Sequence, residues 1–527
     1  MSIASDETLS KLFTIPTKAR HASSALVPPR QAGVTPESAK AVLDLLKVNH
    51  RQWYLFFDND KFHNHVSHHL IGAYGLGANK ELLNTIYKTH SVFQRPAEVF
   101  KSPGPIDATN WKEHVGDDRY YYSYFEFFAE RLLKKGVDNV FAEYIFSKDA
   151  NFVPATPGGK PAYMLSRYLG GLAHPLIHTG YGAEFEILGM WAEGLAEACV
   201  DHINPTDLIP PSLFEAKDDA SLLSKFDNLT LSSTQEPKKT TSPHALTILG
   251  RILADPSFTP VAIGIPSGKG FYPDLNLIVE KVGEKLRGFL EEWVTEPTKE
   301  SLEEKTEELI WMNVLIYAAA GEAGKDRTDN NNGVFKADFF LMHLVTSVVF
   351  LPSLSEHLSL HNTSILLRGY LVTSLLFYLI RGRPALPVAD FYKATKTEVV
   401  PPGPQPTPNH TINMVTPAGQ IDPKKIMAAW APVTKILYPN PWYPVLQTAF
   451  HNPEEHFLKT QRALAHFASV LGLTPPGTFA HLSSEGLGGL DVLDGTLFVR
   501  TAIATANRLG WMREGEVGKS FDRISFY

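Results

Sequence analysis

The stretch "HNHVSHHLIGAYGLGA" begins at His63 and carries four histidines in seven residues. His65 and His69 stand four apart. On a helix, residues at i and i+4 share a face one turn apart, so two imidazoles can reach one metal ion. His63 and His68 point elsewhere and read as supports for the helix. Val66, Leu70, Ala73 and Tyr74 predict that this helix is at least half buried. The glycines of "GAYGLGA" let neighbouring helices approach closely. Taken alone, the cluster fits a metal-binding pair and a set of histidines satisfied inside a core equally well.

Three other segments place histidines on apolar helices. In "GGLAHPLIHTGYGAEF", Pro175 suits the first helical position, which makes His174 the expected N-cap and puts His178 in the first turn. His178 sits among Leu176, Ile177 and Tyr181 and needs a polar partner there; Glu184 is the candidate to orient an imidazole. In "FKADFFLMHLVTSVVFLP", His343 is surrounded by Phe339, Phe340, Thr346, Ser347 and Phe350. That face is either a pocket wall or a packed face whose hydroxyls bond back to their own helix. In "FHNPEEHFLKTQRALAHFASVLG", Asn452 is the expected N-cap, Glu455 completes a near capping box and Gly472 ends the helix. His456, Lys459, Ala463 and Phe467 then share a face. A lysine there either snorkels to water or is buried and becomes a neutral amine. A neutral amine can capture carbon dioxide as a carbamate, an anionic oxygen ligand. Helical proteins build metal sites from side chains of facing helices. Histidines with one anionic oxygen suit iron first, then manganese or zinc.

The rest of the chain must position these groups. Its 527 residues exceed the size at which one core normally stops growing, which allows one large domain with insertions. A net charge of −7 without a basic patch excludes a nucleic-acid partner. Cys199 is the only cysteine, so intrachain disulfides and cysteine-based zinc sites are excluded. "MSIASDETLSKLFTIPTKAR" has no apolar signal region, and the expected location is cytoplasmic. "GYLVTSLLFYLI" is too short to span a bilayer and reads as a buried helix, so no membrane partner is expected.

Residues 1–35 lack periodicity and are expected as a surface arm. From Thr35 (N-cap) and Pro36 onward the pattern is helical, with Gly136 placed to end one helix. Strand-like alternation is scarce. The expected fold is mainly α: a single large helical bundle over residues 36–527, with a metal site between helices and long loop insertions at about 203–243 and 397–425. "GIPSGKG" lacks P-loop spacing, "GYGAEF" lacks a third glycine, and G-x-S-x-G and H-E-x-x-H are absent. The residues therefore specify no flavin or nicotinamide site.

In this order, "FHNHVSHHLIGAYGLGA", "HPLIHTGYGAEF", "FLMHLVTS" and "EEHFLKTQRAL" resemble the questin oxidase-like family of fungal secondary metabolism, over about residues 40–475. The resemblance implies oxidative opening of a ring in an aromatic polyketide such as an anthraquinone, a reaction long described as an NADPH-supported Baeyer–Villiger oxidation. It also implies dioxygen as co-substrate and a non-heme iron(II) held by histidines and a carboxylated lysine. Carried over by motif, the implied ligands are His65, His69, His178, His343 and Lys459, with His174 and His456 as exchanges. His65, His343 and Lys459 are the implied catalytic groups. Phe339, Phe340, Phe350 and Tyr181 are the expected substrate pocket. A cofactor-dependent monooxygenase, a metal-dependent hydrolase and a non-catalytic binding protein are the competing classes.

Overall fold

The computed structural model describes residues 5–18, 22–215, 242–293, 295–327, 333–406 and 437–527. Among them there is no strand, only four isolated bridges, and the fold is mainly α as expected. Among its helices are α1 (Asp6–Leu12), α2 (Pro36–Gln52), α3 (Val66–Gly75), α4 (Lys80–Ser91), α5 (Tyr121–Lys135), α6 (His174–Phe185), α7 (Leu188–Val200), α8 (Phe271–Glu292), α9 (Lys299–Ala323), α10 (Phe339–Val348), α11 (Leu360–Ile380), α12 (Glu455–Leu471) and α13 (Leu497–Leu509). Most of the 203–243 segment, and the 397–425 segment from 407 onward, lie outside the described residues.

Local chemistry explains the boundaries. At the start of α2, the Ser38 amide donates to Thr35 Oγ1 at 3.1 Å and the Thr35 amide donates to Ser38 Oγ at 2.9 Å, a reciprocal cap with Pro36 inside it. Gly136 ends α5 at φ 78°, a conformation that favours glycine. The N-terminal segment differs from expectation. It contains α1, and Leu9, Leu12 and Phe13 are buried. Phe13 fills the space over Gly189, where a Cβ would lie 2.5 Å from its ring. Burying each such side chain stabilises by ~1.5–3 kcal/mol, enough to hold an arm of this length against the core.

α11 is also longer than the apolar run suggested. It is long and apolar enough to cross a membrane, but 89% of its apolar window is covered inside the protein, by α8, α9 and α10 among others. It is a core helix. The site depends on a different group. α3 packs on α12, α12 on α10, α10 on α6, and α6 back on α3, so four helices close a ring. α7 lies behind α6 and is buried along nearly its whole length.

A candidate metal centre inside the four-helix ring

Each helix of the ring delivers one imidazole. His65 is the N-cap of α3 but makes no side-chain capping bond, so its ring is free to face inward. His174 opens α6 after a turn in which Leu172 (φ 57°) and Ala173 (φ 62°) are both left-handed. Non-glycine residues held there cost ~1–3 kcal/mol each, and such strain collects at functional sites. His343 lies in the middle of α10 and His456 in the first turn of α12. All four are buried. The ring centroids stand 4.9 Å apart for His65–His174, 5.1 Å for His174–His343, 5.1 Å for His343–His456 and 4.6 Å for His456–His65.

In all four rings the Nδ1 is occupied. His343 Nδ1 faces the Phe339 carbonyl at 2.8 Å, His174 Nδ1 the Gly171 carbonyl at 2.5 Å, and His456 Nδ1 a Glu454 oxygen at 2.6 Å. His65 Nδ1 lies 2.9 Å from Glu455 Oε1. The two carbonyls can only accept, so they put the proton of His343 and His174 on Nδ1 and leave Nε2 as a bare lone pair, and the carboxylates do the same for His456 and His65 when ionised. His65 Nε2 and His174 Nε2 face each other at 2.7 Å. The Nε2 atoms of His343 and His456 are buried with no partner. Lone pairs converging in a dry interior repel one another and are costly without a cation. The donor set fits a divalent transition metal such as iron.

Lys459 lies one turn beyond His456, 3% exposed, with its Nζ unpartnered. It does not snorkel. Burial pushes its pKa down to about 8, against the pull of Glu455 and Glu454. Burial, and then the Lys459 cation, hold His456, His65 and His343 below the ordinary imidazole range, His343 at about 3. His174 is lowered likewise, by burial and then by His63. Neutral imidazoles are the form that binds metal.

Several sequence expectations are corrected. His69 turns away, with its Nδ1 2.9 Å from His90 Nε2. The i,i+4 argument fails because His65 is the cap, at φ −88° and ψ 7°, and lies outside the helical face. His178 Nδ1 lies 3.1 Å from His68 Nε2, and its Nε2 lies 2.9 Å from Glu193, so it backs the centre and does not enter it. Glu184 bonds Arg462 and orients no imidazole. The cap of α12 is Glu454, not Asn452. Ser347 donates to the His343 carbonyl, the back-bonded alternative. The four proposed pocket residues do not line one wall. Phe339 touches His343 and His456, Tyr181 and Phe350 pair beside His68, and Phe340 stacks on Phe271.

Sequence reasoning missed Glu193, Glu197 and Asp201, all buried. Glu193 accepts from both His50 (2.8 Å) and His178 (2.9 Å). Glu197 and Asp201 meet His63. A signal was present: in "GMWAEGLAEACVD" these acids recur every four residues on an otherwise apolar helix.

Residues 62–464 match the profile of the questin oxidase-like family, a span that contains every group of the centre. The chain belongs to the questin oxidase-like family. A Baeyer–Villiger oxidase of Pestalotiopsis microspora is 29% identical over 328 residues, covering 61% of this chain and 66% of that protein. An oxidoreductase of Aspergillus parasiticus is 26% identical over 359 residues, covering 66% of this chain and 64% of that protein. The questin oxidase of Aspergillus fumigatus is 28% identical over 190 residues, 35% of this chain and 40% of that protein. The chain thus matches just under two thirds of the length of the first two relatives, and all four imidazoles and Lys459 lie inside the questin oxidase-like span.

Proposed function

We propose that the protein is an oxygenase that opens a ring of an aromatic polyketide of the anthraquinone class. Its cofactor is an iron(II) held by His65, His174, His343 and His456, with carboxylated Lys459 as the anionic oxygen ligand. The observation that carries this reading is the ring of four buried imidazoles, in which His65, His174 and His456 each place a ligand atom within 4.8 Å of the others and the Nε2 atoms of His343 and His456 have no partner. The names of the relatives, Baeyer–Villiger oxidase and questin oxidase, supply the reaction class and the substrate class. When bound, the iron supplies the activation of dioxygen.

The chain's own residues do the rest. Glu455 and Glu454 hold the imidazoles in their tautomers. Lys459, neutral in a substantial fraction near pH 8, adds carbon dioxide through its nitrogen lone pair and releases one proton. Phe339 stands between the His343 and His456 rings on one side and the exposed Arg523 on the other, and it keeps water from the imidazoles.

The test is iron content and dioxygen uptake with an anthraquinone such as questin, in the wild type, His343→Ala and Lys459→Ala. Wild type is expected to hold one iron in the four-histidine site and to consume dioxygen, and both variants to lose the iron and the turnover. Full iron occupancy with unchanged turnover in both variants would sink the assignment, and turnover without dioxygen would point to hydrolysis. Assays with and without NADPH decide the electron source. Inserting one oxygen atom while the other leaves as water takes two electrons from a reductant, whereas incorporating both atoms takes none.

A further inference from the structure

A second constellation lies against the centre. His63 Nε2 is 2.9 Å from Asp201 Oδ2 and 3.0 Å from Glu197 Oε1, and the three atoms lie within 4.8 Å of one another. All three residues are buried; Glu197 is 1% exposed and Asp201 2%. One imidazole nitrogen carries at most one proton, so it can serve one carboxylate well and not two. Glu197 Oε1 is accordingly without a hydrogen-bond donor, although it is buried and aimed at His63 Nε2. The backbone makes room for this approach. A Cβ at Gly171 (φ 51°) would lie 1.8 Å from Asp201 Oδ2.

The spacing suits a shared cation. Two ligand atoms ~2.1 Å from one ion and at right angles lie ~3.0 Å apart. We propose that His63, Glu197 and Asp201 form a second divalent-cation site, distinct from the four-histidine centre and suited to a manganese-, iron- or zinc-type ion. One nitrogen and two carboxylate oxygens favour a harder ion than the four imidazoles do. The His63 ring stacks on His174 with centroids 3.9 Å apart and planes 14° apart, so the two ions are neighbours.

The test uses the full-length protein, freed of metal by chelation, loaded with Mn²⁺ and dialysed. Metal is counted by elemental analysis, and the Mn²⁺ electron paramagnetic resonance spectrum is recorded. The wild type is expected to hold two ions with spin–spin broadening. Glu197→Gln and Asp201→Asn are each expected to hold one ion with the broadening gone, and His343→Ala to lose the other. A wild type that holds a single ion, lost in His343→Ala and kept in Asp201→Asn, overturns this proposal and leaves the four-histidine centre standing. A single ion lost in Asp201→Asn and kept in His343→Ala supports it and overturns the other site. Glu197→Gln keeps the test usable if Asp201→Asn fails to fold, and the wild-type count needs no variant.

Discussion

An imidazole offers a metal one nitrogen at a time, and the group bonded to the other nitrogen decides which. Glu455 serves two rings, at 2.9 Å from His65 Nδ1 and 3.2 Å from His456 Nδ1. Its carboxyl stays below the usual range in spite of burial, because His456, His90 and Lys459 surround it. Glu455→Gln keeps the shape and removes the charge that makes both imidazoles stronger donors. The expected effect is a ~10–100-fold loss of metal affinity, as is usual for such supporting groups. Anaerobic titration with iron(II) measures it, and unchanged affinity would remove Glu455 from this role. The residue types were legible in the sequence, and their choice within each motif was only partly so. Of the ligands implied by motif, His65 and His343 lie in the ring of four imidazoles and Lys459 one turn from His456, whereas His69 faces His90 and His178 faces Glu193. Which imidazoles come together is decided by backbone angles at a helix start, at His65 and at the left-handed pair before His174, and periodicity carries no information about them.

Elements position these residues by close approach. α6 and α7 cross at Gly194, where a Cβ would lie 2.6 Å from Thr179 Cγ2 and 2.9 Å from the Thr179 backbone nitrogen. A backbone atom cannot swing aside. Gly194→Ala gains about 1 kcal/mol of helix propensity but forces the helices apart, at a cost of ~1–3 kcal/mol. The steric term is expected to win. The variant should show a lower urea midpoint and reduced iron occupancy, because the shift passes through His178, whose Cβ is 3.2 Å from the added methyl. An unchanged midpoint would mean that the crossing can yield. That these segments are helices was readable from their apolar spacing. That α1 is a packed helix was not, because its seven residues are too few to show a period.

Across the molecule, the buried charge is arranged as imidazoles alternating with carboxylates behind the centre: His50, Glu193, His178, Glu197, His63 and Asp201. A net charge of −7 gives no hint of this arrangement, because the exposed acids and bases outnumber it. Its consequence is a defined acid limb. Burial alone would raise the Glu193 carboxyl, but the hydrogen bonds from His178 and His50 outweigh it and hold the pKa at about 2 instead of 4.5. A lowered carboxyl contributes stability that is complete above pH 4.5 and disappears as the pH falls toward 2. The difference corresponds to ~3 kcal/mol. Glu193→Gln cannot titrate. It is expected to be less stable than wild type at pH 7, where two imidazoles have lost a charged acceptor, and to lose less stability between pH 4.5 and 3. Urea unfolding of both proteins at pH 7, 4.5 and 3 measures the two slopes, and parallel acid limbs would show that Glu193 does not set the acid tolerance of the fold.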